Sequence, residues 1–394
     1  MSKRDVVVLA AARSAIGTFA GSLADIEPAE LAGTVMKAAI ERSGVDPKAI
    51  NYVTVGNCIP TESRYPYVAR VASIQAGLPM DSVAMAVNRL CSSGLQGIVT
   101  TGQNILLGDC DYGIGGGVEV MSRGAYLSTA LRSGARMGDS KMVDSMVAAL
   151  TDPFGVGHMG ITAENLATKW GITREDQDKF AVESHRKAAA AIAEGRFKTQ
   201  IVPIVKQTRK GEVTFDTDEH VKPNTTLETL AKMKPAFKKD GTVTAGNASG
   251  INDGAAFLVL GDAAKVAADG HKPMARLVSY AVAGVPNEIM GEGPIPATKL
   301  ALKKGGFKLD QMDVIESNEA FAAQAIAVAR GLEFDMKKVN PNGGAVALGH
   351  PIGCSGAALA VKAIYELHRT GGRHALVTMC IGGGQGIAAV FERL

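Results

Sequence analysis

Of the five cysteines in this 394-residue chain, Cys91 stands where a thiol could act as a nucleophile. It lies in the segment Asn88-Arg-Leu-Cys91-Ser-Ser-Gly94, after residues 82–88, which are predicted to form a buried strand. A sharp turn between a strand and a helix exposes a reactive side chain, and here the helical pattern continues to about Leu107. The positive end of the helix dipole would favour the thiolate. An inert buried cysteine is the alternative, and this segment alone does not decide between the two.

His350 could accept the proton of such a thiol. It is held in Gly349-His350-Pro-Ile-Gly353, directly before a helical pattern that starts near Cys354 and runs to about His368. Flanking glycines let a substrate or another backbone segment approach closely, which suits a general base. A structural histidine in a turn is the alternative. Cys354 itself is expected to pack at the start of the helix.

Cys380 ends the apolar segment 375–380 and runs into a triple glycine at 382–384. Backbone N–H groups in such a turn can converge on an anion. A nucleotide loop of the GxGxxG kind is excluded because residues 387–391 read as another strand rather than a helix.

Two further polar segments are candidates for contact with a ligand. Asn318 follows the predicted strand 314–315 and precedes a helix, so it is either a fixed amide donor or a plain N-cap. Residues 243–254 alternate small polar residues with glycine, which predicts a loop in close contact with a ligand, with a simple connection as the alternative.

The predicted helices and strands that position these residues occur twice in the same order along the chain. A helix at 29–42 and a strand at 52–55 are matched later by a helix at 296–304 and a strand at 314–315. The Cys91 helix leads to a strand and a predicted glycine turn at 115–117, just as the Cys354 helix leads to a strand and a predicted glycine turn at 382–384. This repetition predicts an internal duplication of a layered α/β unit, interrupted by a different region at about 121–250.

Composition narrows the function classes. The formal net charge is +3, too small to suggest nucleic-acid binding, yet residues 196–239 hold ten Lys or Arg against five Asp or Glu. That local excess indicates either a compact anionic ligand or an ordinary solvated surface. Neither a membrane span nor a signal peptide is expected, which predicts a cytoplasmic protein. The odd number and wide spacing of the cysteines argue against disulfides and against zinc, so no metal is expected.

Together the motifs resemble the thiolase family over essentially the whole chain. The segments that carry the resemblance are Asn88–Gly94, Asn318-Glu-Ala-Phe321, Gly349–Gly353 and Cys380-Ile-Gly-Gly-Gly384. The resemblance implies an α/β fold of duplicated α/β/α/β/α layers, with a five-stranded sheet in each half and an inserted loop domain. The expected division is an N-terminal half at 1–121 completed by 249–271, a loop domain at 122–248, and a C-terminal half at 272–394.

The resemblance also implies roles in an acyl transfer. Cys91 would carry the acyl group as a thioester, His350 would take its proton, and Cys380 would move the proton at the α-carbon of acetyl-CoA. Asn318, with a water, and His350 would form one oxyanion site, and the N–H groups of Cys91 and Gly382 the other. The implied reaction is the reversible condensation of acetyl-CoA with a short acyl-CoA, or the thiolysis of a 3-ketoacyl-CoA.

Substrate contacts are carried over in the same way. The residues implied are Leu150, His158, Met159, Lys222, Ala245, Ser249, Met290, Ala320 and Phe321. Coenzyme A is then a substrate, no cofactor is needed, and a homotetramer is expected, built by residues 121–138. Short-chain members commonly have an aromatic residue where this chain has Gly157, which predicts a roomier acyl pocket.

Three alternatives remain open at this level: a broad-range degradative thiolase, a decarboxylating ketoacyl synthase and an inactive CoA-binding protein. Ketoacyl synthases lack the second cysteine, so Cys380 argues against that class. The intact set of Cys91, His350 and Cys380 argues against an inactive protein.

Overall fold

The computed structural model describes residues 4–209 and 211–394. Its strands are β1 (Val6–Ser14), β2 (Gly17–Thr18), β3 (Ile50–Gly56), β4 (Val83–Val87), β5 (Tyr112–Val120), β6 (Tyr126–Leu127), β7 (Val143–Asp144), β8 (Ile201–Val202), β9 (Ile204–Thr208), β10 (Gly211–Phe215), β11 (Asn252–Asp262), β12 (Ala275–Gly284), β13 (Val314–Ser317), β14 (His374–Ile381) and β15 (Gln385–Arg393). Its helices are α1 (Pro28–Ser43), α2 (Val68–Gln75), α3 (Ser93–Leu107), α4 (Ala130–Ser133), α5 (Ser145–Ala149), α6 (Met159–Trp170), α7 (Arg174–Ala193), α8 (Leu227–Ala231), α9 (Ala263–Ala268), α10 (Pro294–Gly305), α11 (Ala322–Leu332), α12 (Ala345–Leu348) and α13 (Ile352–Thr370). None of the helices in these ranges is long and apolar enough to cross a membrane.

The main sheet has two sets of strands that meet at β1 and β12. Its order is β13-β14-β15-β12-β1-β11-β5-β3-β4, so the early strands and the late strands are separated. The two sets are joined through the antiparallel pairs Val7–Arg276 and Val8–Ala275. Five strands were expected in each half; the late set has four, extended at its edge by an isolated bridge from Ile315 to Val339.

Helices cover both sets of strands on both faces. One apolar core lies beneath α1 and α2, a second lies around α3 and α13 between the two sets of strands, and a third lies beneath α10 and α11. Residues of β1 alternate between the first core (Val7, Leu9) and the second (Val6, Val8), as in strands buried on both faces. The predicted five-layer α/β/α/β/α fold is confirmed.

Two local predictions were wrong. Residues 82–88 were expected to be buried, but β4 is the edge strand beside β3 and Val83 is 53% exposed. The triple glycine 115–117 was expected in a turn, but it lies inside β5. There it permits close packing: a Cβ atom on Gly117 would lie 2.0 Å from the carbonyl oxygen of Gly353, and one on Gly115 would lie 2.6 Å from Cα of Ile98.

The region between β5 and β11 is fastened to β1 by a buried ion pair. The guanidinium of Arg13 donates from Nη1 and Nη2 to both carboxylate oxygens of Asp218, at 2.7 and 2.9 Å, and from Nε to Gln200 Oε1 at 2.8 Å. A buried charge paired and hydrogen-bonded in this way holds its partner segment in a fixed position. This region supplies α6, α7 and the loop 243–250 to the site described next.

Candidate active site

Cys91 lies in a short 3₁₀ turn, Leu90–Ser92, between β4 and the start of α3. Leu90 has a φ of +46°, a left-handed conformation that a leucine adopts only under constraint. Two hydrogen bonds supply that constraint: Leu90 N–H donates to Asn88 Oδ1 at 2.9 Å, and Arg89 N–H donates to Ser93 Oγ at 2.8 Å. The sharp turn predicted before the helix is therefore present, and it presents Cys91 at the helix N-terminus.

The charge state of Cys91 differs from the sequence prediction. The helix dipole was expected to favour thiolate, yet burial raises the pKa of the Cys91 thiol to about 11. The backbone N–H groups of Gly382 and of Cys91 itself act in the opposite direction without overcoming that effect. Desolvation outweighs the local dipoles here, so the free thiol needs a base to take its proton. Cys91 is half-buried, whereas the other four cysteines are buried.

The imidazole of His350 is fixed as a neutral ring with a free nitrogen. Ser355 donates its hydroxyl proton to the Pro351 carbonyl oxygen at 2.8 Å and lies 2.6 Å from His350 Nδ1. Because that hydroxyl proton is already used, we assign the ring proton to Nδ1 and leave Nε2 as the acceptor. Burial lowers the pKa of His350 to about 4, which keeps the ring neutral at pH 7.

Asn318 is a fixed amide beside His350. It follows β13 directly, is buried, and its Nδ2 lies 3.4 Å from His350 Nε2. The alternative of a plain N-cap is wrong, because α11 begins at Ala322 and its N-cap is Phe321. Asn318 Oδ1 is buried and has no hydrogen-bond partner among the described residues, which leaves it free for a ligand or water.

Cys380 and Gly382 end β14 and enter the turn to β15. Only glycine fits at position 384, because φ there is +91° and a Cβ atom would lie 2.3 Å from the Val285 carbonyl oxygen. Gly382 faces the nucleophile turn: a Cβ atom on it would lie 3.2 Å from Leu90 Cδ1. Burial raises the pKa of the Cys380 thiol, and interaction with Cys91 raises it further. The Leu90–Ser92 turn, which carries Cys91, also contacts β14, the strand that contains Cys380.

A small apolar cluster surrounds Cys380. It combines Met159, Met290, Ala320 and Phe321 with Ala163, Val243 and Ala248, and Phe237 packs against it. His158 stacks on Phe237, with 4.7 Å between ring centroids and 14° between planes. These side chains come from distant parts of the chain, and together they form an apolar wall beside the thiol.

The predicted loop 243–254 ends at Ile251, because residues 252–254 begin β11, and the loop contacts this cluster directly. Ser249 N–H donates to the Ala320 carbonyl oxygen at 3.0 Å, and Ala248 forms a β-bridge with Phe321. These contacts attach the loop to the apolar cluster beside Cys380, and its contact with a ligand stays a prediction. Leu150 lies next to Met159, a member of the apolar cluster: its backbone carbonyl oxygen accepts from Met159 N–H at 2.8 Å.

Ala245 and Lys222 lie apart from the thiols, exposed at the surface. The backbone N–H of Lys222 donates to His185 Nδ1 at 3.1 Å. Burial, and then the Lys222 charge, lower the pKa of His220 to about 4, so the ammonium lies near that ring. His220 in turn abuts Gly250, because a Cβ atom there would lie 2.4 Å from His220 Cε1.

Sequence reasoning missed several residues of this site. Ser355 sets the His350 tautomer, and Asn252, which lies in the predicted contact segment 243–254 but was given no role there, accepts from His350 N–H through Oδ1 at 3.0 Å. Phe237 stacks on His158, and the buried Glu119 lies behind both catalytic turns. The position of Ser355 could have been recognised from the sequence, because a serine in a helix can donate to the carbonyl oxygen four residues earlier, here that of Pro351. The roles of the other residues depend on tertiary packing alone.

Comparison with known proteins agrees with this geometry. The family model for the thiolase N-terminal domain matches residues 6–264, and that for the thiolase C-terminal domain matches residues 271–393. The chain is 56% identical to beta-ketothiolase BktB of Cupriavidus necator over 392 residues, covering 99% of this chain and 100% of that protein. It is 50% identical to an acetyl-CoA acetyltransferase of Pseudomonas aeruginosa, with 99% and 100% of the two chains covered.

Solved structures agree as well. The acetyl-CoA acetyltransferase of Bacillus anthracis superposes with a TM-score of 0.97 at 45% identity, covering 100% of this chain and 99% of that chain. Human mitochondrial 3-ketoacyl-CoA thiolase superposes with a TM-score of 0.97 at 43% identity, covering 100% of both chains. With both halves matched by family models and relatives aligned from end to end, this chain belongs to the thiolase family.

Proposed function

We propose that this acyltransferase is an acetyl-CoA C-acetyltransferase, a beta-ketothiolase that condenses acetyl-CoA with a short acyl-CoA and cleaves 3-ketoacyl-CoA in reverse. The observation that carries the proposal is that the Leu90–Ser92 turn, which carries Cys91, contacts both α13, which begins two residues after His350, and β14, which contains Cys380. One nucleophile and two proton carriers are what a carbon–carbon bond-forming reaction through a thioester requires. Coenzyme A enters as a substrate, and the chain's own groups supply the chemistry without a further cofactor.

The first half-reaction transfers the acyl group to Cys91. His350 Nε2 takes the thiol proton, and the sulfur attacks the thioester carbonyl. The backbone N–H groups of Cys91 and Gly382 stabilise the oxyanion that forms. Collapse of the intermediate breaks the bond to the CoA sulfur, which leaves as a thiolate and is protonated by solvent, while His350 keeps the Cys91 proton on Nε2.

The second half-reaction forms the carbon–carbon bond. Cys380 first loses its proton to solvent; the thiolate then removes a proton from the α-carbon of acetyl-CoA, and Asn318 and the Nε2–H of His350 stabilise the enolate oxygen. The α-carbon attacks the acyl carbonyl on Cys91, and the bond to Cys91 sulfur breaks. His350 returns its proton to the Cys91 thiolate and Cys380 keeps the proton from the α-carbon, so the enzyme ends in its starting state. Thiolysis follows the same steps in reverse.

Acyl length is expected to be short, with limited tolerance. The buried Met159, Met290 and Phe321 narrow the apolar cluster, whereas a Cβ atom on Gly157 would contact only Ile161, at 3.8 Å. One added methylene shifts specificity by roughly 1–3 kcal/mol in such a pocket. We expect good cleavage of acetoacetyl-CoA, useful cleavage of 3-ketovaleryl-CoA and poor cleavage of 3-ketodecanoyl-CoA.

Comparing kcat/KM for thiolysis of the three substrates tests this expectation. If the ten-carbon substrate equals or exceeds acetoacetyl-CoA, the protein is a broad-range degradative thiolase instead. If none of the three is cleaved, the proposed function fails.

Lys222 is proposed to bind the phosphates of CoA. Lys222 is exposed and follows His220 by two residues, and the His220 ring abuts Gly250 at the end of the loop 243–250. An exposed charge contact is worth ~1 kcal/mol or less, so Lys222→Ala should raise KM for CoA about two- to fivefold and leave kcat unchanged. Lys232→Ala, which removes an exposed lysine paired with Glu228, is the control. An unchanged KM for CoA would show that Lys222 is an ordinary solvated surface residue with no role in binding the phosphates.

A homotetramer built as a dimer of dimers is the proposed assembly. The edge strand β4 exposes Val83, and the segment around the β6–β7 pair exposes Tyr126, Leu131, Met137 and Met142, with Met137 97% exposed. Exposed apolar patches and an unpaired strand edge mark interaction surfaces. Light scattering coupled to size-exclusion chromatography should give four times the chain mass of 40.8 kDa. A monomer at micromolar concentration would refute the assembly.

Two further points belong to the proposal. The three-part division at 1–121 with 249–271, 122–248 and 272–394 is supported by the two family matches, which meet near residues 264–271.

A cytoplasmic location is supported by the five free cysteines, because a thiol nucleophile needs a reducing compartment.

A further inference from the structure

Glu119 is a wholly buried carboxylate at the end of β5, and its four partners are all N–H donors. Oε1 accepts from Asn57 Nδ2 at 2.9 Å and from Ile59 N–H at 3.1 Å. Oε2 accepts from Cys58 N–H and from Gly353 N–H, each at 3.0 Å. No Lys or Arg among the described residues donates to it. Burying a carboxylate without a positive partner costs folding free energy, and the four N–H donors offset that cost. A carboxylate kept at such a position is therefore a candidate for a role in the site.

One of these hydrogen bonds reaches the histidine turn. Gly353 lies three residues after His350, in the first turn of α13, whereas Glu119 belongs to the early set of strands. The fit is tight, because a Cβ atom on Gly353 would lie 2.5 Å from Glu119 Oε2. Asn252 holds the other end of the turn by accepting from His350 N–H at 3.0 Å.

Another hydrogen bond leads to the nucleophile turn. Cys58 N–H donates to Glu119, and the Cys58 thiol donates to the Leu90 carbonyl oxygen at 3.1 Å. Cys58 Sγ also lies 3.2 Å from Ser93 Oγ, which itself accepts from Arg89 N–H. Leu90 is the residue directly before Cys91. The Glu119 carboxylate therefore contacts the turn that carries His350 through Gly353, and it contacts the turn that carries Cys91 through Cys58.

We propose that Glu119 is a positioning residue that fixes His350 Nε2 relative to Cys91 Sγ for the proton transfer that begins acylation. This role rests on the proposed function. A glutamine cannot replace the carboxylate, because its amide nitrogen would point two N–H groups at two backbone or side-chain donors. An aspartate keeps the charge but retracts it by one methylene, so it should restore the turns only in part.

The test is the rate of acetyl transfer from acetyl-CoA to the enzyme, measured by rapid quench with labelled acetyl groups. The burst amplitude counts the folded sites, and the rate constant reports the alignment of Cys91 with His350. A misplacement of about 1 Å can cost roughly 10²-fold, so Glu119→Gln should slow acetylation about 100-fold and Glu119→Asp about 10-fold. KM for acetyl-CoA should change less than about twofold, because Glu119 contacts no substrate. The assay is run well above neutral pH, since burial raises the pKa of Glu119 to about 7.

Glu392→Gln is the matched control. Glu392 is a buried carboxylate that pairs with Arg276 and Arg373 at the opposite end of β14 and β15 from Cys380, and its loss should leave the acetylation rate constant unchanged. If Glu119→Gln does not fold, Glu119→Asp decides. Wild-type rate constants at full burst amplitude in the Glu119 variants would overturn this inference alone. Absence of acetylation in the wild-type enzyme would instead overturn the proposed function.

Discussion

Replacing Cys380 by serine is expected to lower condensation and thiolysis about 10³-fold while leaving acyl exchange nearly intact. The thiol is wholly buried at the end of β14, where burial raises its pKa, and Cys91 raises it further. Acylation of Cys91 removes that second effect, which lowers the pKa of Cys380 and lets its thiolate, the form that acts as base, arise more readily at the moment it is needed. A serine hydroxyl is far too weak an acid for its conjugate base to form there. Transfer of the acyl group to Cys91 needs no proton at the α-carbon.

Two assays separate these effects. Exchange of labelled CoA into acetyl-CoA reports the first half-reaction, and thiolysis of acetoacetyl-CoA reports the whole reaction. Cys110→Ser changes another buried cysteine, between α3 and β5 and outside the site, and should keep both activities. Equal losses of exchange and thiolysis in Cys380→Ser would show that Cys380 is not confined to the α-carbon step.

Replacing His350 by alanine is expected to lower exchange and thiolysis together, each about 10³-fold. Burial raises the pKa of Cys91 to about 11, so few thiolates exist at pH 7 without a base. The neutral imidazole supplies that base through Nε2 and also faces Asn318 at the proposed enolate site. One side chain thus serves both half-reactions, which is why the two losses should be similar.

The pH profile gives a second measurement on the same residue. Because burial lowers the pKa of His350 to about 4, its base form persists well below the usual histidine range. Protonation of His350 should therefore add no loss of exchange activity between pH 5 and pH 8, and any loss in that range should follow the protonation of Glu119, whose pKa burial raises to about 7. His368→Ala, which changes a histidine near the far end of α13, is the control and should keep full activity. Exchange that survives in His350→Ala while thiolysis is lost would assign the proton of Cys91 to another base.

Much of this arrangement could be predicted from local sequence because it depends on local signals. The turns at Cys91, His350 and Cys380 are marked by glycine, proline and the change from strand to helix periodicity. The repeated order of elements predicted the duplicated layers for the same reason. Asn318 could be placed at a strand end, although only the position of α11 excluded the N-cap.

The rest depends on packing between distant segments. Glu119 draws its donors from residues 57–59 and from Gly353, a pairing that no periodicity reveals. The triple glycine 115–117 was predicted as a turn because glycine runs favour turns, but in β5 it serves the close approach of α3 and α13. The pKa of Cys91 was predicted in the wrong direction because the helix dipole is local, whereas the desolvation that outweighs it comes from the whole fold.

The covalent intermediate can be observed most directly by mass spectrometry of Cys380→Ser after brief mixing with acetyl-CoA and an acid quench. Blocking the second half-reaction should let the acyl-enzyme accumulate. We expect one acetyl group per chain, on the peptide that contains Cys91, and none when Cys91 is also replaced by alanine. An enzyme that cleaves acetoacetyl-CoA but carries no acetyl group on Cys91, or carries it on another residue, would contradict the mechanism.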